Sequence, residues 1–284
     1  MKPCLHPSIV TTDSLESYLA LAQRCHYRYV DVDFRWIEQA ASQQSIAYVQ
    51  HMFESHGIEL ASFGLPVAVH GDETAFQTTL SQLPEVAGNA LRLGATRCVT
   101  WLWPSVDERP IPYGSRLAVR LRACADVLAT FGIRLGLEFV GPHHLRTKQY
   151  PFVWNLQDLR AYLDAIGAPN VGILLDSYHC YTAEVPMDEL LALEAHEIVH
   201  VHVNDASLPP NEAHDQERCL PGDGQIDLQG FVAALEHIGY TGPLSLEVLH
   251  QAPLPGRDDD IAKRMYETLN QFIAHAREES IGRG

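Results

Sequence analysis

Eight short apolar runs alternate with longer amphipathic stretches along this chain, the sequence pattern of βα units feeding a parallel sheet. The runs are residues 3–10, 29–33, 58–63, 96–101, 133–140, 171–176, 198–204 and 243–249. Five of them follow a glycine, at Gly57, Gly94, Gly132, Gly167 and Gly239, where a helix can close in the left-handed conformation without a Cβ clash. Successive glycines lie 37, 38, 35 and 72 residues apart, the last interval holding two repeats. A repeat of this length carried eight times through 284 residues predicts closure into a (β/α)8 TIM barrel rather than an open sheet. Such barrels reach this length as one unit, and no linker or low-complexity tract interrupts the chain, so a single domain over residues 1–284 is expected. Asp13-Ser14, Asn155 and Asp227 are side chains suited to opening helices, and Pro221-Gly222-Asp223-Gly224 reads as a turn. The polar tail after Ala276 is expected to fray.

Charge narrows the partners. With 36 acidic against 20 basic residues the net charge is −16, which repels a phosphate backbone and anionic lipid alike. The expected partners are therefore a small molecule and, at most, further copies of the same chain as a homo-oligomer, with no nucleic acid and no membrane. Six cysteines without a CxxC pair, and no cleavable apolar segment, basic transit stretch or membrane-length apolar run, point to reduced thiols in a cytoplasmic protein.

Active sites of such barrels lie at the C-terminal ends of the strands. In the fifth run Glu138 falls in the inward phase near the top, and the sixth ends on Asp176 in phase with Gly172 and Leu174. The seventh alternates Val199, Val201 and Val203 with His200, His202 and Asn204, and the eighth turns Ser245, Glu247 and Leu249 inward. Glu138, Asp176, His202 and Glu247 are thus four metal-competent groups aimed at one mouth. Three carboxylates and an imidazole form a costly negative pocket unless a divalent cation sits among them. The oxygen-rich set favours one Mn2+ or Mg2+ ion, with Co2+, Fe2+ or Zn2+ also admissible.

Other residues have two readings. His179, three residues past Asp176, is either within reach of a substrate hydroxyl or a loop histidine, while His200, one inward layer below His202, reads as a core histidine. His70 and the pair His143-His144 are either functional or ordinary loop residues. Trp101 and Trp103 either wall the pocket against the apolar face of a sugar ring or pack beneath a loop. Arg218 either bonds a substrate oxygen or is solvated.

The segments Leu137-Glu138-Phe139-Val140-Gly141, Leu175-Asp176-Ser177-Tyr178-His179, His202-Val203-Asn204-Asp205, the loop from Arg218 to Asp227, and Ser245-Leu246-Glu247 resemble the xylose-isomerase-like barrel superfamily of sugar isomerases, epimerases and apurinic endonucleases. Within it they are most similar to the inosose isomerase (2-keto-myo-inositol isomerase) family. The likeness covers the whole chain in architecture, but its specific motifs lie in the second half. It implies Glu138, Asp176, His202 and Glu247 as metal ligands, His179 and Arg218 as substrate contacts, and a place in carbohydrate metabolism, specifically inositol catabolism. Ketose 3-epimerases of the superfamily carry an arginine six residues after the metal histidine, where this chain has Leu208. Dehydroshikimate dehydratases usually replace that histidine, and the endonucleases need extra zinc-binding histidines where this chain has Trp101 and Trp103. Xylose isomerase proper moves a hydride with two metals and a lysine, and no lysine lies at a strand end here.

The function expected is metal-dependent isomerisation or epimerisation of a small polyol ketone, an inosose or ketose, by proton transfer through an enediolate. Glu138 and Glu247 form the acid/base pair, in an order the sequence leaves open. The substrate is expected to be uncharged rather than phosphorylated, because Arg35, Arg146 and Arg218 are dispersed and Gly222 and Gly224 flank Asp223 instead of forming a phosphate cradle. The alternatives are a 3-dehydroshikimate dehydratase-like lyase and a non-catalytic polyol-binding barrel.

Overall fold

Eight parallel strands hydrogen-bond into a closed barrel in the computed structural model, which describes residues 1–282. They are β1 (Lys2–Leu5), β2 (Tyr29–Val32), β3 (Glu59–Gly64), β4 (Arg97–Trp101), β5 (Arg134–Glu138), β6 (Val171–Asp176), β7 (Ile198–His202) and β8 (Pro243–Ser245). Neighbours in the barrel are neighbours in sequence, and β8 closes on β1 with Cys4 opposite Ser245. The (β/α)8 fold expected from the repeat is the fold observed. The surrounding helices are α1 (Leu15–Arg24), α2 (Phe34–Gln43), α3 (Ile46–His56), α4 (Glu73–Arg92), α5 (Pro110–Ala129), α6 (Leu156–Ile166), α7 (Ser177–Thr182), α8 (Met187–Leu191), α9 (Leu228–His237) and α10 (Asp258–Gly282).

The punctuation read from sequence does its expected work. The five repeat glycines have φ between 63° and 81°, the left-handed region that closes a helix before the next strand. Ser14, Asn155 and Asp227 each accept a backbone N–H of the helix they precede, from Ser17, Asp158 and Gly230. The tail corrects the fraying expected after Ala276. There α10 continues through Gly282, because Ala262, Met265, Leu269, Ile273 and Ala276 recur at helical spacing and are buried against the barrel layer. Residues 283–284, which belong to the expected domain, lie outside the described residues.

Several strands are shorter than their apolar runs. The first run stops pairing after Leu5, where Pro7, lacking an N–H, starts a short 3-10 turn over Pro7–Ile9. The last run leaves the sheet after Ser245; from there Leu246 N–H reaches Cys4 O and Val248 N–H reaches Ser8 Oγ. The seventh ends at His202, and Asn204 N–H turns aside to Ser177 Oγ.

The barrel interior below the mouth holds a polar layer instead of aliphatic side chains. Asp31 accepts Ser62 Oγ at 2.7 Å, His200 Nε2 at 2.8 Å and Ser245 Oγ at 2.5 Å, all inside the buried core. Burial alone would raise the Asp31 carboxyl; the charge of and hydrogen bond from His200 outweigh it and hold Asp31 below the ordinary carboxylate range. Burial lowers His200 against the opposing pull of the Asp31 carboxylate, and the fully buried ring is the core histidine its position suggested.

Two short antiparallel ribbons frame the mouth: Ser105–Val106 with Tyr150–Pro151, and Asp205–Ala206 with Arg218–Cys219. Asp205 organises the second. Its Oδ1 accepts the N–H groups of Ala206 and Ile226, and its Oδ2 those of Gly222 and Gly224, so one buried carboxylate folds the 221–226 turn around itself. Asp205→Ala leaves these donors without their acceptor and should cost at least about 2 kcal/mol in urea unfolding. A loss below about 0.5 kcal/mol would mean that water replaces the carboxylate freely.

Candidate metal centre and active site

Glu138, Asp176 and His202 are the final residues of β5, β6 and β7, and the sheet register sets Asp176 beside His202. Glu247 joins them from just beyond β8. His202 Nδ1 lies 3.5 Å from Glu138 Oε1, 3.8 Å from Asp176 Oδ2 and 3.3 Å from Glu247 Oε2. One ligand atom from each of the four residues falls within 4.8 Å of all the others.

The surroundings hold these atoms in place. Asp176 caps α7, its Oδ1 accepting Tyr178 N–H at 2.6 Å, while Asn204 Nδ2 donates to both Asp176 oxygens at 3.1 Å. The buried Arg218 sends Nη1 to Asp176 Oδ2 and to Glu247 Oε2, each at 3.0 Å, and Nη2 to Asp215 Oδ1 at 2.8 Å.

This donor set fits a divalent ion on two observations. First, Glu138 Oε1 and His202 Nδ1 are buried with no hydrogen-bond partner among the described residues, an expensive arrangement unless something between them supplies positive charge. Second, ligand arms of about 2.1 Å meeting at one centre set their ends roughly 3 to 3.5 Å apart, which is the spacing of His202 from the two glutamates. The titration of the groups describes the same excess of negative charge. Burial, reinforced by Glu247 and Asp176, pushes Glu138 up. Burial pulls His202 down but is outweighed by Glu247 and Glu138, which draw a proton onto its ring; against burial, His202 and Arg218 carry Glu247 well below the ordinary range. A divalent ion at that point supplies the charge and leaves the imidazole free to ligate.

A second trio, His6, Asp31 and His202, also brings candidate ligand atoms within 4.8 Å. It is a poorer cage, because Asp31 Oδ2 already accepts from His200 and Ser245, and His6 Nδ1 accepts Ser8 N–H at 3.1 Å.

Each glutamate keeps one oxygen outside the cage, beside a histidine. Glu138 Oε2 is 3.7 Å from His179 Nε2, and Glu247 Oε1 is 3.8 Å from His6 Nε2. Gly141 N–H donates to His179 Nδ1, and Arg218 Nη2 lies 3.3 Å from His179 Nε2, so both ring nitrogens face donors. Burial depresses His6 to about 4, so it is a neutral ring at neutral pH.

In front of the cage lies a cavity of about 490 Å3, ample for a small polyol. Glu138, His202 and Glu247 line one side, and Phe34, Leu65 and Trp101 line the other. Of the two readings of Trp101, the structure has it facing this cavity, 41% exposed, with the Trp103 ring edge against it at 4.5 Å. His70 is not in the lining: its ring stacks on Trp101 at 5.3 Å and its Nδ1 meets Tyr113 Oη at 3.0 Å, so it backs the wall. His179 and Arg218 are buried behind the cage, 2% exposed each. A larger hollow of about 730 Å3 lies beyond Arg218, beside α10, but no cage ligand lines it, so the smaller cavity is the one that adjoins the chemistry.

Sequence reasoning passed over His6, Asp31, Asn204 and Asp215. Asp31 had a legible signal, since it shares with Tyr29 the alternate phase of a run whose Val30 and Val32 occupy the other. His6 was hidden inside a run read as strand through residue 10, where only Pro7 marks the break.

The fold and the strand-end cluster make this a (β/α)8 barrel with four metal-competent side chains beside a cavity of about 490 Å3. The family model described as "Xylose isomerase-like TIM barrel" matches residues 19–277, and the chain belongs to that family. It is 25% identical to an inosose isomerase of Bacillus velezensis over 96% of this chain and 98% of that one. Among solved structures it is similar to a xylose isomerase domain protein of Alicyclobacillus acidocaldarius, at 48% identity and a TM-score of 0.95, covering 98% of this chain and 99% of that one. The fold is shared as well by an IolI protein with a bound zinc atom, at 20% identity and a TM-score of 0.83, covering 96% and 98%.

Arg218 and a cage ion would balance the same carboxylates, which predicts an interaction between them. Arg218→Met should lower stability by about 3–5 kcal/mol in the presence of a chelator, since it strands buried charges, and by clearly less with saturating Mn2+. Equal losses in both conditions, measured by urea unfolding, would show that arginine and ion do not share these charges.

Proposed function

We propose that the protein is a divalent-metal-dependent isomerase or epimerase of a small uncharged polyol ketone, an inosose or ketose. The observation that carries this reading is the split role of Glu138 and Glu247: each commits one oxygen to the space beside His202 Nδ1 and keeps the other outside the cage. Two carboxylates so placed can take a proton from one carbon and return it to the neighbouring carbon, or to the opposite face of the same one. The likeness to an inosose isomerase supports the substrate class, and that to an IolI protein with a bound zinc atom supports the ion.

Glu138, Asp176, His202 and Glu247 would hold the ion. When bound, a divalent cation polarises a substrate carbonyl and steadies the charge of an enediolate. The protein's own groups do the rest. Glu138 Oε2 and Glu247 Oε1 move the proton, while the Trp101 and Phe34 faces lie against the carbon skeleton and exclude water. His179 Nε2 lies 3.7 Å from Glu138 Oε2 and 3.3 Å from Arg218 Nη2, and Arg218 fixes Asp176 and Glu247 from behind. The arginine lining the cavity, Arg35, is already paired with Asp33, and Glu38 stands near it, an arrangement that favours a neutral substrate over a phosphate dianion.

Chelation should abolish turnover and Mn2+ or Co2+ should restore it, assayed against inososes, ketohexoses, hydroxypyruvate and dehydroshikimate. Full activity in metal-stripped protein would remove the ion from the reaction; turnover of dehydroshikimate alone would make the protein a lyase, and no turnover at all would favour a binding barrel. Glu247→Gln should lose about 10²–10⁴-fold in kcat while still folding. In D2O the product should gain deuterium at the reacting carbon, and complete retention of substrate hydrogen would replace proton transfer with a hydride shift.

A further inference from the structure

The two glutamates are not alone in having a free oxygen beside an imidazole; the imidazoles themselves are prepared in the same way. Gly141 N–H donates to His179 Nδ1 at 3.3 Å, and Ser8 N–H donates to His6 Nδ1 at 3.1 Å. A ring whose Nδ1 accepts from a backbone amide carries its proton on Nε2, so His6 presents an Nε2–H on the side of the outer oxygen of Glu247, whereas His179 Nε2 faces the Arg218 guanidinium at 3.3 Å. On the Glu247 side no described residue accepts that proton, because Glu247 Oε1, at 3.8 Å, is beyond hydrogen-bond range. The His6 side chain is 19% exposed and lines the cavity, whereas His179 is sealed behind Glu138.

Ser8 ties the two halves of this arrangement together. Its Oγ lies 2.9 Å from His6 Nδ1 and accepts Val248 N–H at 2.9 Å, so one residue holds both the His6 ring and the segment that carries Glu247. The 3-10 turn begun by Pro7 is what brings Ser8 back against residues 246–248.

We propose that His6 is a catalytic residue of this site, its Nε2–H donating a hydrogen bond to the substrate oxygen on the carbon served by Glu247, with Ser8 as the positioning residue that sets the His6–Glu247 separation. The inference rests on the proton-transfer reading above and adds to it the group that orients the substrate on the Glu247 side. His6 would not ligate the ion, since its Nδ1 is occupied by Ser8 and its Nε2 carries the ring proton. A donor at this point strengthens as negative charge gathers on the substrate oxygen, so its removal falls more on kcat than on KM.

The test uses the full chain loaded with Mn2+, comparing wild type with His6→Ala, His6→Gln and Ser8→Ala. His6→Ala should lose about 10–100-fold in kcat/KM, mainly in kcat, while its Mn2+ affinity by titration calorimetry stays within about twofold of wild type. His6→Gln, which keeps a donor, should recover part of the loss, and Ser8→Ala should fall between wild type and His6→Ala. An active wild type with His6→Ala inside twofold of it would overturn the proposal and leave the proposed function standing. A tenfold or greater loss of Mn2+ affinity in either His6 variant would overturn it by making His6 a ligand. A wild type inert toward every ketone would overturn the proposed function, and this inference with it.

Discussion

The concentration of negative charge at the top of the barrel is the constraint to which the rest of the site answers. Three carboxylates converge on one imidazole nitrogen within 4.8 Å, where burial weakens their screening by water. Arg218 offsets part of this charge but shares itself with Asp215, and its position behind the cage leaves the front open. Asn204 and the first amides of α7 take up the remaining lone pairs of Asp176. These groups brace the ligands without filling the centre, where Glu138 Oε1 and His202 Nδ1 stay unpartnered. A cluster built for stability alone would have satisfied those two atoms, whereas a metal cage requires them bare.

Chemistry and shape are divided between the two halves of the barrel. The ligands come from β5, β6, β7 and the segment after β8, while much of the cavity wall comes from the first half, through Phe34, Ser62, Leu65 and Trp101. The wall is stiffened from outside: His70 stacks on Trp101, Trp103 packs edge-on against it, and Lys148 Nζ lies 4.2 Å from the centre of the Trp103 ring. Under the proposed function a substrate at the cage would extend towards this aromatic face, so changes at Phe34, Leu65 or Trp101 would retune which polyol fits while leaving Glu138 and Glu247 in place.

What the sequence disclosed follows from how locally each feature is encoded. Glycines that end helices are set by φ, a single-residue property, and the barrel period could be read from them directly. Alternation along a strand is nearly as local, which is why Glu138, Asp176 and His202 could be assigned to the inward face from their phase. Glu247 was placed correctly for an incomplete reason, since it stands past the last paired residue, Ser245, and owes its position to Leu246 and Val248 bonding to Cys4 and Ser8. Contacts across the barrel have no such local signature. His6 meets Glu247 only when β1 and β8 close the cylinder, and Arg218, readable as a solvated loop arginine, becomes a buried brace only when the Asp205 turn folds its ribbon over the mouth.

Closure also explains how the three histidines around the site come to present different faces to it. His6 and His179 each have Nδ1 engaged by a backbone amide; His6 offers Nε2–H forward, whereas His179 Nε2 lies 3.3 Å from Arg218 Nη2. His202 is turned the other way, with Nδ1 towards the carboxylates and Nε2 towards the Asp31 carboxylate, 3.9 Å below. Asp31 can stay ionised there only because Ser62, Ser245 and His200, from β3, β8 and β7, converge on it. Were an ion to take the Nδ1 lone pair, the ring proton would sit on Nε2, the side on which the Asp31 anion favours it. The polar layer in the barrel, which would be a poor choice for a core meant only to be stable, thus puts an anion on the side of His202 away from the four candidate ligand atoms.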